Sequence, residues 1–314
     1  MLGIFWMLGS AVLLAIQNVV LKVLFAKSAV FGVVQLGGYV APTLGHSLLL
    51  LEMRTLLTLI GLSVLAPRLY PPVFEELKGL AQPSHRPLLL KALASGTLLS
   101  LALTLLFVAI SQLSSGIAVT IFFIYPPLSA VLAWWVFGER LSAIAIAATV
   151  GVCLGVGLSA PSWSSFTQSA SLWGTLAALG AGFAYAWQGI FSQMCLKRIH
   201  PVAFSLLLFW IMFAICGAGL GLVALDVPDR AWLPLWIGSG ITATVTMGGY
   251  LLNNFGIRAI GVTPAFLVSA STPILTALIA WLAIAEVMVM RQVFGVALVV
   301  VGIFIVGLER IQQD

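Results

Sequence analysis

Continuous apolar runs, read against the residues that break them, predict ten helices at roughly 3–25, 46–66, 88–110, 115–137, 142–159, 172–194, 202–225, 233–256, 262–284 and 290–308. A helix crosses a bilayer core with about 20 largely apolar residues, and these runs have that length. Prolines and polar turns separate them, notably Pro67, Pro71 and Pro72, then Pro83 and Pro87, Ala160-Pro161-Ser162, Pro201, and Asp226-Val227-Pro228. The longest polar connection, 67–87, is too short for a soluble domain. A lipid-facing barrel would instead show strands of about 10 residues with alternating polarity.

Polar residues inside the runs fall on helical faces. In the eighth, Ser239, Thr242, Thr246, Tyr250 and Asn253 recur at the period of an α-helix, which turns them together away from lipid. Tyr185, Gln188 and Ser192 share a face of the sixth, with Trp187 beside them, and Tyr125, Ser129, Ser269 and Thr272 extend the polar set. Single Ser and Thr residues serve as hydrogen-bonding glue between helices. Tyr125, Trp187, Gln188, Tyr250 and Asn253 are large enough to hold a ligand. Prolines 126, 127 and 273 leave carbonyls free at mid-span, where they line a cavity or mark packing kinks.

Composition fixes the solvent. Of 314 residues 61% are hydrophobic and 7% charged, against roughly 25% charged in soluble domains. The expected fold is an all-α integral membrane protein. The net charge of +5 is dispersed, with no basic cluster beyond Lys197-Arg198, so nucleic acid is not an expected partner. Cys153, Cys195 and Cys216 stand singly in apolar stretches and read as core residues, not a disulfide framework or a metal site. No cofactor is expected. The N-terminus lacks a basic region and an early cleavage motif and reads as a retained first span.

The charges that remain at membrane depth are few. Lys22 lies near the end of the first helix, where it either snorkels to the interface or pairs inward with Asn18, four residues earlier. Glu52 and Arg54 are two residues apart, about 200° around a helix, and cannot face each other. Glu52 is the single plausible proton-carrying carboxylate, with an interhelical ion pair as the alternative, which makes protons a candidate coupling partner.

The chain also repeats itself. An offset of 147 residues lays the fourth and fifth helices on the ninth and tenth, pairing Pro126 with Pro273, Trp134 with Trp281 and Glu139 with Glu286. Earlier, Ser47-Leu48-Leu49-Leu50 matches Ser205-Leu206-Leu207-Leu208, and Gln17 pairs with Gln188, which implies an insertion near 26–45. That segment reads as an ordinary loop, with a short surface helix or lid as the alternative. Five helices per unit is odd, so units 1–160 and 161–314 would lie inverted in the membrane, a common construction of secondary transporters. With the N-terminus inside, nine Lys and Arg fall on the cytoplasmic side and four outside, placing both termini in the cytoplasm of an inner-membrane protein.

The repeated pattern resembles the EamA family of the drug/metabolite transporter superfamily. Its carrying residues are Ile124-Tyr125-Pro126-Pro127-Leu128-Ser129-Ala130, then Phe137-Gly138-Glu139-Arg140, then Gly151 and Gly155. The second copy reads Ser271-Thr272-Pro273-Ile274-Leu275, Ala285-Glu286, Gly295 and Gly302. This copy has Ala285-Glu286-Val287 in place of Gly-Glu-Arg. Arg54 resembles an arginine frequent in the family's second helix. The resemblance implies ten transmembrane helices and alternating-access movement of small metabolites, often export.

An enzyme is not expected, since His46, His85 and His200 sit at helix ends or in loops without a nucleophile–base grouping. The expected function is a secondary transporter exporting small amphipathic metabolites such as amino acids. The expected binding residues are Gln17, Asn18, Lys22, Glu52, Arg54, Tyr125, Trp187, Gln188, Tyr250, Asn253 and Ser269. A sugar-phosphate or nucleotide-sugar exchanger, which needs several convergent cations, and a non-transport scaffold or receptor are the alternatives.

Overall fold

The structure is a computed structural model that describes residues 2–138 and 169–286 (270 apart), with scattered positions within 146–158 and 290–301. The expected fifth and tenth helices lie largely outside the described residues, as do Glu139, Arg140 and Cys153. Among the described residues, seven helical stretches are long and apolar enough to cross a membrane, at 2–25, 44–69, 83–112, 115–137, 201–220, 229–260 and 262–284.

In chain order the elements are α1 (Leu2–Phe25), the strands β1 (Ser28–Val30) and β2 (Val34–Leu36), α2 (Leu44–Leu69), α3 (Val73–Leu80) and α4 (Arg86–Gln112). There follow α5 (Ser115–Phe122), α6 (Tyr125–Phe137), α7 (Ser169–Leu196), α8 (Pro201–Leu220), α9 (Trp232–Ile260), α10 (Val262–Ser269) and α11 (Ser271–Ile284). Helix α2 continues through Pro67 to Leu69, a turn beyond the end expected from the prolines, and α3 occupies the polar connection.

Two departures from the expected elements bear on function. Segment 26–45 is neither helix nor plain loop but contains an antiparallel hairpin with Val30 opposite Val34. Its tip is sewn to the end of α11, where the Phe31 N–H donates to the Ala283 carbonyl at 2.8 Å. Gly37 has φ +102, and a Cβ there would collide with the carbonyls of Val23 and Ala26. The second departure is that the expected helix 115–137 is built as two helices, with a turn at Phe123–Ile124. Pro126 and Pro127 open α6, so the chain restarts there. Helix α7 comes close enough at Gly182 that a Cβ would lie 2.6 Å from the Phe122 carbonyl oxygen.

Helix α6 stops at Gly138, which has φ 71 and donates to Trp134 O at 3.0 Å. Ala285, 147 residues on, has φ 51 and donates to Trp281 O at 3.1 Å. The two helices end in the same left-handed cap, which a glycine adopts freely and an alanine only under strain.

Packing brings α1 against α9, α4 against α7, α2 against α8, and α5–α6 against α10–α11. Glycines let the first pair approach closely: a Cβ on Gly238 would sit 2.7 Å from Leu24, and one on Gly249 3.0 Å from Leu14. All five polar residues of the α9 stripe are buried, against α1 and the centre of the bundle.

Candidate functional site

Between α1, α4, α5–α6, α7, α9, α10 and α11 lies a cavity of about 40 Å³. That is space for one or two waters, so a metabolite enters only if the lining side chains part. One wall is aromatic. Tyr125 packs edge-on against Tyr185 with centroids 4.8 Å apart and against Phe266 at 4.7 Å, while Phe122 and Phe123 close around it. The Tyr185 hydroxyl faces that of Tyr250, and the Tyr125 hydroxyl faces Ser269. The other wall carries neutral polar groups. Gln17 Oε1 accepts from Thr246 Oγ1 at 2.5 Å, Asn18 Nδ2 donates to Thr276 Oγ1 at 3.4 Å, and Asn253 completes the lining.

Of the expected site residues, Gln17, Asn18, Tyr125, Tyr250, Asn253 and Ser269 meet at this cavity. The others lie elsewhere. Gln188 donates to Ser192 Oγ at 2.7 Å and to Ser95 Oγ at 3.4 Å, tying α7 to α4. Trp187 is half-buried and packs edge-on against Trp135, 6.2 Å between centroids, at the α6–α7 contact. Lys22 is half-buried, and no bond joins it to Asn18. Its ammonium donates to Leu113 O at 2.6 Å and Ile110 O at 3.2 Å, the terminal carbonyls of α4, where a cation also opposes the helix dipole.

Glu52 and Arg54 join a second polar cluster, between α2, α4 and α8. The Glu52 carboxylate lies by Gly217, whose missing side chain makes room for it; a Cβ there would stand 3.0 Å from Oε1. Arg54 is 1% exposed, and its guanidinium carbon stands 4.9 Å from the Phe107 ring centre. Cys216 lies within electrostatic reach of both charges, with Ser100 and Thr104 as neighbours.

The ends of the bundle differ in their ties. At the hairpin end, Glu286 accepts from the Ser115 N–H at 3.0 Å and from the Ser115 hydroxyl at 2.5 Å, capping α5. His46, at the start of α2, bonds the Asp226 carbonyl at 3.0 Å. At the opposite end, Gln193 Oε1 accepts from Val262 N at 2.7 Å, and a pocket of about 320 Å³ opens between α7 and α9, lined by Lys197 and Arg258.

Tyr185, Phe122, Phe123, Thr272, Leu103 and Leu106 line the cavity without having been among the expected binding residues. Tyr185 and Thr272 were visible as polar residues on helical faces. The phenylalanines and leucines carry no mark that separates them from lipid-facing ones. Among the described residues no group of three His, Cys, Asp or Glu side chains converges to hold a metal.

These features define a multi-pass helical membrane protein with a polar interior cavity enclosed by its helices. Residues 172–308 match the EamA-like transporter family. The chain is 34% identical to "Uncharacterized transporter sll1319" of Synechocystis sp. (strain ATCC 27184 / PCC 6803 / Kazusa), over all of this chain and 95% of that one. A solved structure described as "Crystal structure of protein" shares the fold with a TM-score of 0.58 at 18% identity, covering 98% of this chain and 96% of the other. The chain belongs to the EamA-like transporter family, and is a membrane transporter of the drug/metabolite type.

Proposed function

We propose that the protein is a secondary transporter that exports small amphipathic metabolites, such as amino acids, across the cell (inner) membrane. Two inverted five-helix units, 1–160 and 161–314, would rock about the central cavity and open it to each side in turn, with both termini cytoplasmic. The observation that carries this reading is the cavity itself: one aromatic wall and one wall of neutral amides and hydroxyls, beside the break between α5 and α6. Such a lining suits a ligand with an apolar body and few charges. Irregular backbone at membrane depth is favoured where it borders a cavity.

The packing supports the inverted arrangement. A pseudo-two-fold exchanging the units maps the α1–α9 contact onto α7–α4, and maps α2–α8 and the contact of α5–α6 with α10–α11 onto themselves. At the offset of 147 residues, Tyr125 at the start of α6 pairs with Thr272 at the start of α11, and Gly138 pairs with Ala285.

Counterflow in proteoliposomes, with a panel of labelled amino acids and sugar phosphates, tests the reading. Saturable exchange of an amino acid is expected. Exchange of sugar phosphates alone would favour the exchanger alternative, and the absence of all exchange would leave a scaffold or receptor. Proton coupling through Glu52 predicts that Glu52→Gln removes the pH dependence of uptake while the protein stays monodisperse. Unaltered pH dependence rejects that role.

A further inference from the structure

Arg54 poses a physical problem that its own surroundings leave open. Its guanidinium is 1% exposed, yet none of its three nitrogens has a hydrogen-bond partner among the described residues. The nearest acidic side chain in sequence, Glu52, leaves the helix about 200° away and rests on Gly217 of α8. The Phe107 face attracts a cation but accepts no N–H bond. A buried guanidinium without an acceptor is strongly disfavoured at membrane depth, so a partner that comes and goes is the natural complement.

The position of Arg54 says which partner. Tyr250, which lines the central cavity, is its electrostatic neighbour, and Phe107 follows Leu106, another lining residue. Arg54 therefore sits one layer behind the cavity wall, in a neighbourhood whose other polar groups are neutral apart from Glu52, whose carboxylate is turned about the helix onto Gly217. A planar guanidinium matches a carboxylate with two parallel N–H donors. It carries one positive charge, so a monoanion is neutralised in the low-dielectric interior. A phosphate dianion would leave charge uncompensated there.

We propose that Arg54 is the carboxylate receptor of the transport site, with Tyr250 the movable wall between guanidinium and cavity. This rests on the transporter reading above and narrows its substrates to monocarboxylates with an apolar body, zwitterionic amino acids included.

Thermal unfolding of the full chain in detergent tests it with four probes: L-leucine, 4-methylpentanoate, which lacks the amine, isoamylamine, which lacks the carboxylate, and inorganic phosphate. The two carboxylates are expected to raise the midpoint of the wild type, and the amine and phosphate to leave it unmoved. Arg54→Met should unfold at the wild-type midpoint or above without ligand, since it removes an unpaired buried charge, and should lose the carboxylate response. Arg54→Lys should need about tenfold more carboxylate, the charge being kept and the fork lost. A wild type that does not respond to either carboxylate, or responds equally to isoamylamine, overturns the proposal. An Arg54→Lys response equal to the wild type also does so, and it decides the matter if Arg54→Met fails to fold. Counterflow separates the two readings. Carboxylate stabilisation without exchange defeats the carrier and keeps the receptor, whereas undiminished leucine exchange by Arg54→Met defeats the receptor and keeps the carrier.

Discussion

The hairpin end of the bundle and the opposite end are closed by different chemistry. At the hairpin end a carboxylate holds the start of α5 and an ammonium holds the end of α4, so both sides of the 113–114 corner are gripped by ions. The β-hairpin adds a backbone bond to α11. Around the corresponding corner at the other end, between α9 and α10, Gln193, a neutral amide, accepts from Val262 N beside an open pocket. Hydrogen bonds to ions are stronger and more demanding of geometry than neutral ones. At the corner itself, then, the hairpin end is held by ions, whereas the carboxylate at the opposite end, Glu76, acts away from the corner, on the His200 N–H.

Removing that grip is expected to have the largest effect. Glu286→Ala deletes both bonds to Ser115 and should lower unfolding stability by about 2 kcal/mol, with faster amide exchange at 115–118 and unchanged exchange at 262–265. Equal acceleration at both ends would erase the distinction. Next is Gly182→Val, at the contact that both ends share. Its β-carbon meets the Phe122 carbonyl oxygen and Ile124, which should cost about 1–3 kcal/mol, seen as a lower thermal midpoint and lost counterflow.

A smaller effect concerns the opposite end alone. His200 Nδ1 accepts from Val202 N at 3.3 Å, its ring stacks on Tyr70 at 3.9 Å, and its own N–H donates to Glu76. Burial, with Arg258 adding to it and Glu76 opposing, holds the imidazole pKa below its ordinary 6.5. The folded protein thus prefers neutral His200. Its contribution is present above pH 6.5 and is lost as pH falls below that value, by about 1 kcal/mol, the size of a cap. A lower thermal midpoint at pH 5 than at pH 7.5 in the wild type, and a smaller difference in His200→Asn, is the expected result. The smallest effect has the opposite sign. Ala285→Gly relieves the left-handed cap before Glu286 and should stabilise by about 0.5 kcal/mol, the relief exceeding the added chain entropy.

The contrast also explains what could be read from the chain. The spans and the break at 123–124 were legible because apolar length and proline act locally: Pro126 marks the interrupted helix. The polar face of α9 was legible from its period, and so were six residues of the cavity. The bonds of Lys22 were not legible because its partners are main-chain carbonyls 88 and 91 residues away, and a carbonyl looks the same at every position. The contacts of Gln188 and Trp187 were not legible because rotation of α7 is set by its packing on α4 and α6. The hairpin escaped notice because three-residue strands leave too short an alternation to see.

That hairpin offers a use beyond closure. Its tip is bonded to the end of α11, and Val33 there is 82% exposed. A fluorophore or spin label on Val33→Cys would travel with α11 while touching neither cavity nor gate. Substrate-driven motion could then be followed from outside the membrane, in a protein whose cavity is left chemically intact.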